Sequence, residues 1–331
     1  MQVDIKTSDI RPIRQTFSHV ARRLGDKPAS RYQEATLDMQ PTANFHYRPL
    51  WQPEFELYDK RRTAIAMADW YSFKDPRHYY YGVYTMARAR QQEGADRQFE
   101  FAEKRGLLAQ ADPELRESIQ QVLVPMRHYE WGANMNLSYC CGYGYGTAVT
   151  QPCIFAAMDR LGIAQYMSRI GLQVDGNTGS GLDAGKQAWL HHPAWQGVRR
   201  AMEMLFVTKD WFEVLVAQCL VFDGLIYPLI HRRYVNAHSA PSGHALAMLT
   251  EFPNEWFDET ARWVDATVKT AADESAANAA QLARWYVHWR DEIAEALQPL
   301  AALALHDTGA GVLANLVTEL DARAARLGIP Q

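Results

Sequence analysis

Beyond residue 53 the apolar positions of this chain recur at helical spacing. Phe55, Leu57, Tyr58, Ile65 and Trp70 fit one amphipathic helix ending near Phe73. Asp75-Pro76 reads as the next start, with the carboxylate as N-cap and proline at the first helical position. That helix is predicted to reach about Arg105, with Gly106 as its stop. Asp112-Pro113 opens a third, to about Cys141, kinked at Pro125. Gln151-Pro152 breaks the chain before a helix through Ile170. Gly171, Gly176, Gly179, Gly181 and Gly185 predict a loop or broken helix over 171–185. His192-Pro193 is another break before a helix from Trp195 to Val207. Lys209-Asp210-Trp211 leads into a long apolar helix to about Ala237, and Ser239 to Gly243 form a turn. Phe252-Pro253 opens helices through Leu305; Gly309 and Gly311 precede a last one to Arg326. No stretch alternates with period two for long enough to form a sheet, so the fold class is all-α.

Residues 1–53 differ. Pro12, Pro28, Pro41, Pro49 and Pro53 exclude a long helix, while Phe17, Tyr32, Phe45, Tyr47 and Trp51 are scattered among charges. Aromatics are sparse in disordered tails, which favours an extended arm bound to a surface, its own or a partner's, over a flexible tail. Two units follow: an arm over 1–53 and a helical domain over 54–331.

The 331 residues suffice for a large core, and 48% hydrophobic content marks a folded protein. A net charge of −4 without a basic stripe argues against a nucleic-acid partner. Cys140, Cys141, Cys153 and Cys219 show no C-x-x-C spacing and lie in apolar stretches, as reduced thiols of a cytosolic protein would. The first residues have no apolar core and do not read as a signal peptide. The most apolar stretch, Val214 to Ile230, carries Gln218 and Asp223 and reads as a buried helix, not a membrane span. Most of the ten tryptophans are expected in the core, with those in the arm and near Asp75–Tyr81 better placed for an interface.

Long helices of this kind can hold a carboxylate-bridged di-iron centre. Such a centre takes a Glu from each of two helices and a Glu-x-x-His pair from each of two others. Of eleven histidines only His78 has a carboxylate three residues before it, in Asp75-Pro-Arg-His78, and the helix-start reading is favoured there. Glu130, Glu203, Glu213 and Asp223 lie among apolar helical neighbours and need partners if buried. Ala133, Val216 and Ile226 stand where imidazoles would follow Glu130, Glu213 and Asp223, so salt bridges are favoured over metal. Arg127, Arg169, Arg199 and Arg200 are the candidate partners. His191-His192 before Pro193 reads as capping.

Two other motifs are weak. Pro241-Ser242-Gly243-His244 matches a fragment of the type-2 acid phosphatase motif. Arg11 and Arg48 lack the accompanying Lys, and no downstream His–Asp pair follows, so a turn is favoured. Gly176 to Lys186 departs from a phosphate loop: Ser180 stands at the first Gly and Gln187 at the magnesium-binding hydroxyl. Gly142-Tyr-Gly-Tyr-Gly146 likewise suits close helix approach or a helix stop.

Three segments carry a resemblance: Asp69-Trp-Tyr-Ser-Phe-Lys-Asp-Pro-Arg77 with Tyr79-Tyr80-Tyr81, Trp189-Leu-His-His-Pro-Ala-Trp-Gln-Gly-Val-Arg199, and Asp210-Trp-Phe-Glu213. Together they resemble the β subunit of the hydroxylase component of bacterial multicomponent monooxygenases, nearest the phenol hydroxylase branch. The likeness runs along nearly the whole chain, although Asn236–His244 departs from the Asp-containing pattern expected there. The resemblance implies a ferritin-like helical bundle with an extended N-terminal arm and no catalytic, cofactor-binding or metal-binding residue in this chain. It also implies two iron ions in a partner α subunit, α, β and γ subunits as a dimer of trimers with β at the central contact, a regulatory protein, and a reductase using NADH, FAD and an iron–sulfur centre. The expected role is structural support of phenol hydroxylation in the cytoplasm. The alternative is a self-sufficient di-iron or dimanganese carboxylate oxidase using Glu130, Glu203, Glu213 and Asp223.

Overall fold

The computed structural model describes residues 16–330 except 26, 40–49, 51 and 243. Every regular element among them is helical. The longer ones are α3 (Tyr81–Arg105), α5 (Met126–Tyr143), α6 (Thr147–Val174), α7 (Ser180–His191), α8 (Pro193–Val207), α13 (Glu251–Glu274), α14 (Ala276–Leu305) and α15 (Gly309–Arg326). Before α3 come the short α1 (Ser18–Leu24) and α2 (Arg31–Thr36), and α4 (Pro113–Ser118) precedes α5. Between α8 and α13 a continuous helical run, Trp211–Ser239, passes through the middle of the molecule with 89% of its most apolar window buried. It contains α9 (Trp211–Leu215), α10 (Asp223–Tyr227) and α11 (Val235–Ser239), and α12 (Ala245–Leu249) follows it. The reading of Val214–Ile230 as a buried helix holds.

α5 and α6 form an antiparallel hairpin and pack most extensively against each other. The central run, α13 and α14 close the core around this pair, and Trp195, Trp211, Trp256, Trp263 and Trp289 fill it. The central run starts at Asp210, whose carboxylate accepts from the N–H of Phe212 (2.9 Å) and Glu213 (3.2 Å). Its hydrogen-bond ladder widens to π-helix over Val216–Phe222 and Pro228–Tyr234. Pro228 has no N–H to give the ladder.

Five expectations need correction. No helix spans 55–73. There the chain is irregular apart from a single 3-10 turn, Lys60–Arg62, because its N–H groups are taken by distant side chains. Ala64 donates to Asp210 (2.6 Å), Ala66 to Asn278 (3.1 Å) and Ala68 to Glu274 (2.8 Å). Asp75 is not an N-cap. Its carboxylate accepts from the backbone N–H and the Nε of Arg77, both at 2.9 Å, and His78 adopts a left-handed φ of 52° that ends the turn. α3 therefore begins only at Tyr81 and stops, as expected, at a left-handed Gly106. Pro152 does not break the chain. α6 runs through it from Gly146, whose φ of 86° starts the helix, and a Cβ on Gly146 would press on Trp70 at 3.2 Å. Of 171–185 only 175–179 is a turn. Gly171 lies within α6 and Gly181 and Gly185 within α7, where a Cβ on Gly181 would lie 2.6 Å from the Gly171 carbonyl. Gly309 and Gly311 lie inside α15.

The arm is described from Thr16 to Met39 apart from residue 26, and again at Leu50, Gln52 and Pro53, and the Thr16–Met39 stretch rests on the chain's own body. The Asp75 N–H donates to the Tyr32 hydroxyl (2.8 Å), and Arg23 pairs with Asp69. Trp51 and the residues before Thr16, including Arg11, lie outside the described residues, as does Arg48. Trp70, expected near an interface, is core.

Candidate functional site

The centre of the bundle is ionic. Glu130 on α5, Arg160 on α6 and Asp223 on the central run are all buried. One Arg160 nitrogen, Nη1, donates to Glu130 Oε2 (3.0 Å), and the other, Nη2, donates to Asp223. Tyr227 donates to Glu130 Oε1 (2.8 Å) and accepts from Arg160 Nη1 (3.1 Å). Tyr129 donates to Asp223 Oδ1 (2.6 Å), Gln218 donates to Tyr129 (2.9 Å) and Asn136 donates to Gln218 (2.9 Å). The guanidinium carbon stands 4.3 Å over the Trp256 ring.

A second network adjoins the first through Trp256. The Trp256 Nε1 donates to Asp159 Oδ2, which also holds Arg88 Nη2, each at 2.8 Å, and Tyr84 donates to Asp159 Oδ1 at 2.8 Å. Arg88 continues to Glu259 (2.9 Å), and Glu259 meets Arg77 (3.5 Å). The ionic chain thus runs from the core to the Asp75–His78 turn.

Burial is the first cause of the electrostatics here. It pushes Glu130 up to about 7, against the pull of Arg160 and with the repulsion of Asp223. Burial also opposes the charge on Arg160, yet Asp223, Tyr227 and Glu130 hold the guanidinium well above its usual range. His231, one turn beyond Tyr227, is pushed down to about 3 by burial and by the charges of Arg160 and Arg232. The buried thiols of Cys140, Cys153 and Cys219 are pushed up for the same reason, and all four cysteines are free.

Of the four carboxylates singled out in the sequence, only Glu130 and Asp223 come together. Glu203 lies at the surface and pairs with Arg199 (2.7 Å), one of the candidate arginines. Glu213 accepts from Trp289 Nε1 (2.9 Å). None of Arg127, Arg169, Arg199 and Arg200 reaches Glu130 or Asp223. The partner is Arg160, which sequence reasoning passed over. Its signal was present: Asp159-Arg160 is a charged pair set between Ala156-Ala157-Met158 and Leu161 in the middle of an apolar helix. His192 caps α8, accepting from the Ala194 N–H at Nδ1 (3.2 Å), as the capping reading expected. The His78 ring stacks on Tyr32. His244 sits at a left-handed φ of 63° and donates its N–H to Ser239 (2.7 Å), which is a turn. In the glycine cluster the Asp175 carboxylate accepts from the Gly181 N–H (2.6 Å), placing an anion where a phosphate loop would bind one.

The family model described as Methane/Phenol/Alkene Hydroxylase matches residues 51–275. The chain belongs to that family. Within it the likeness is to phenol hydroxylases. It is 48% identical, over 99% of this chain and 98% of the relative, to the phenol 2-monooxygenase oxygenase component DmpL of Pseudomonas sp. (strain CF600). It is 45% identical over the same shares to the oxygenase component MhpL of Acinetobacter pittii (strain PHEA-2). A crystal structure of xenon-pressurized phenol hydroxylase from Pseudomonas sp. OX1 superposes with a TM-score of 0.92 at 43% identity, covering 99% of both chains. The bundle is therefore ferritin-like, and the chain is a phenol monooxygenase component that works in a multi-subunit complex.

The hydroxylases of this family are di-iron enzymes, so the donor set can be tested against such a centre. The centre needs carboxylates from four helices and two imidazoles converging on a pair of cations. Here the two converging carboxylates close on a guanidinium, which already supplies the compensating positive charge. The adjacent core imidazole, His231, has no hydrogen-bond partner among the described residues and follows no carboxylate at helical ligand spacing. The described residues of this chain do not fit a di-iron centre.

Proposed function

We propose that this chain is the non-catalytic structural subunit of a di-iron phenol hydroxylase. The observation that carries the reading is Arg160 bonded to both Glu130 and Asp223, a fixed cation at the bundle centre. A metal cannot share those oxygens without displacing a buried arginine, which is costly. In this reading 54–331 is a ferritin-like scaffold without metal, cofactor or catalytic residues. Residues 1–53 are the extended arm that would wrap partner subunits, with Tyr32 and Arg23 of its described stretch bonded to this chain's own body. The companion α subunit holds two iron ions and hydroxylates phenol with dioxygen and electrons from NADH, delivered by a reductase. A γ subunit completes a cytoplasmic dimer of trimers, and a regulatory protein acts on it.

Metal analysis of the chain purified alone and as the co-expressed complex tests this. The expected result is iron in the complex only, at about two per α subunit. Stoichiometric iron on the isolated chain would replace the structural reading with the self-sufficient oxidase.

A further inference from the structure

A cavity of about 220 Å³ opens between α5, α7 and the end of α8. Its walls are rings and apolar side chains: Trp131, His128, Trp189, Phe206, Leu190 and Met202. The rings hold one another in place. The His128 ring stacks on Trp189 with centroids 5.8 Å apart, Trp189 packs on the buried Trp195 at 5.6 Å, and Phe206 stands edge-on to Trp131 at 6.4 Å. Two larger hollows, of about 350 and 750 Å³, have no tryptophan, tyrosine or phenylalanine in their walls.

Three charged side chains complete the lining: Lys186, Arg199 and Glu203. Glu203 is bonded to Arg199 Nε at 2.7 Å, so these two offset each other. His128 accepts at Nε2 from Arg127 Nε (3.2 Å), a bond that only an unprotonated ring nitrogen can make. Burial, with the charges of Arg127 and Lys186, pushes this imidazole down to about 4, so the ring is neutral at pH 7. Lys186 is exposed and makes no ion pair among the described residues. It is the charge left over. A box of aromatic rings with a free carboxylate would suit a cationic ligand. Here the carboxylate is taken by Arg199, and Lys186 would repel a cation. Pockets for drug-sized ligands run to about 300–1,000 Å³, so this smaller one takes a single ring with a short substituent.

We propose that this cavity binds a single-ring aromatic anion of the benzoate class, its ring against Trp131, Trp189 and Phe206 and its carboxylate at Lys186. The rings supply stacking and apolar contact, and the ammonium supplies a charge-assisted hydrogen bond. The proposal stands apart from the structural-subunit reading, because every group it uses belongs to this chain.

Isothermal titration calorimetry of the full chain at pH 7 tests it. Benzoate is compared with benzyl alcohol, which has the ring without the charge, with acetate, which has the charge without the ring, and with phenyltrimethylammonium, which has the opposite charge. The expected result is saturable binding of one benzoate per chain, about tenfold tighter than any of the other three. Trp131→Ala should weaken benzoate about tenfold, the scale of losing an aromatic wall. Lys186→Met keeps most of the stem and removes the charge, and should weaken benzoate about fivefold while leaving benzyl alcohol unchanged. Both side chains are exposed, so both variants should melt with the parent. Absence of saturable benzoate binding would overturn the proposal. So would tighter binding of the cation, or benzoate affinity unchanged in either variant, since the anion would then sit elsewhere. Should Trp131→Ala melt early, Phe206→Leu removes the facing ring instead and is judged by the same outcomes.

Discussion

The two faces of the α5–α6 hairpin differ from an ordinary surface pair: buried charges interrupt the apolar inner face, and large apolar side chains stand on the outer one. Its inner surface carries Glu130, Asn136, Asp159 and Arg160, and its outer surface carries Trp131, Met135, Met158 and Leu161. In an ordinary surface helix the apolar stripe faces the core and the charges face water. The difference shows two separate demands on one pair of helices. The inner charges answer one another at about 3 Å, so the bundle is locked by a specific set of hydrogen bonds rather than by packing alone. The outer apolar groups touch little beyond one another, as Trp131 meets Phe206 edge-on. One face is satisfied by hydrogen bonds within the chain, and the other presents apolar side chains to solvent.

The inner face should break most severely. Arg160→Met removes one guanidinium and leaves two carboxylates buried beside it, a loss of about 3–5 kcal/mol. Urea unfolding should show it as a large fall in midpoint or as an insoluble chain. Adding Glu130→Gln and Asp223→Asn to Arg160→Met removes the stranded charges and should recover most of the loss. A single Arg160→Met variant as stable as the parent would mean that the ionic centre contributes nothing to the fold.

The pH dependence sharpens the same contrast. Glu130 keeps its proton up to about 7 in the folded chain, against 4.5 for the ordinary carboxylate. Between those values the folded state holds more protons than the unfolded state, so this group's contribution to stability falls as pH rises through the window. His231 acts in the opposite sense. Its folded value is depressed to about 3 from 6.5, so the unfolded state holds more protons between them and stability rises with pH. From pH 4.5 to 6.5 the two slopes oppose each other and largely cancel. Glu130→Gln removes one of them. Relative to the parent, the variant should gain stability on going from pH 4.5 to 6.5, by up to about 3 kcal/mol at 1.4 kcal/mol per pH unit. Parallel stability curves for the two proteins would show that Glu130 ionises normally in the core.

What the sequence made legible follows the range of the interactions. The central run, α8, α13 and α14 were readable because their periodic apolar positions, and for the central run its starting residue Asp210, are local signals, although Pro193, read as a break, is itself the first residue of α8. Residues 54–80 were not, because Ala64, Ala66 and Ala68 donate to residues 146, 212 and 206 positions away. A period-3.6 pattern there reflects burial against helices, not a helix. The carboxylates Glu130 and Asp223 were found by their apolar neighbours, yet their partner was sought among other arginines. Arg160 is 30 residues from one carboxylate and 63 from the other; the turn at Gly144–Gly146 brings it to Glu130, and the packing of the central run brings Asp223 to it. The outer patch was missed for a related reason. Trp131 sits one residue from Glu130, and only the burial of the glutamate shows that the tryptophan beside it faces outward.

The smallest expected effect belongs to the outer face of the isolated chain. Leu161 is exposed, so replacing it with glutamine removes no core contact and strands no polar group. Surface substitutions of this sort change stability by less than about 0.5 kcal/mol. The urea midpoint of Leu161→Gln should therefore match that of the parent, while light scattering at high protein concentration should fall as the apolar patch shrinks. Leu161 and Arg160 are neighbours in sequence on one helix. If the Leu161 variant lost several kcal/mol as the Arg160 variant is expected to, the outward side chain would be supporting this chain's own fold and the contrast between the two faces would fail. A neutral midpoint with reduced scattering would show that this side chain drives association of the chain and not its folding.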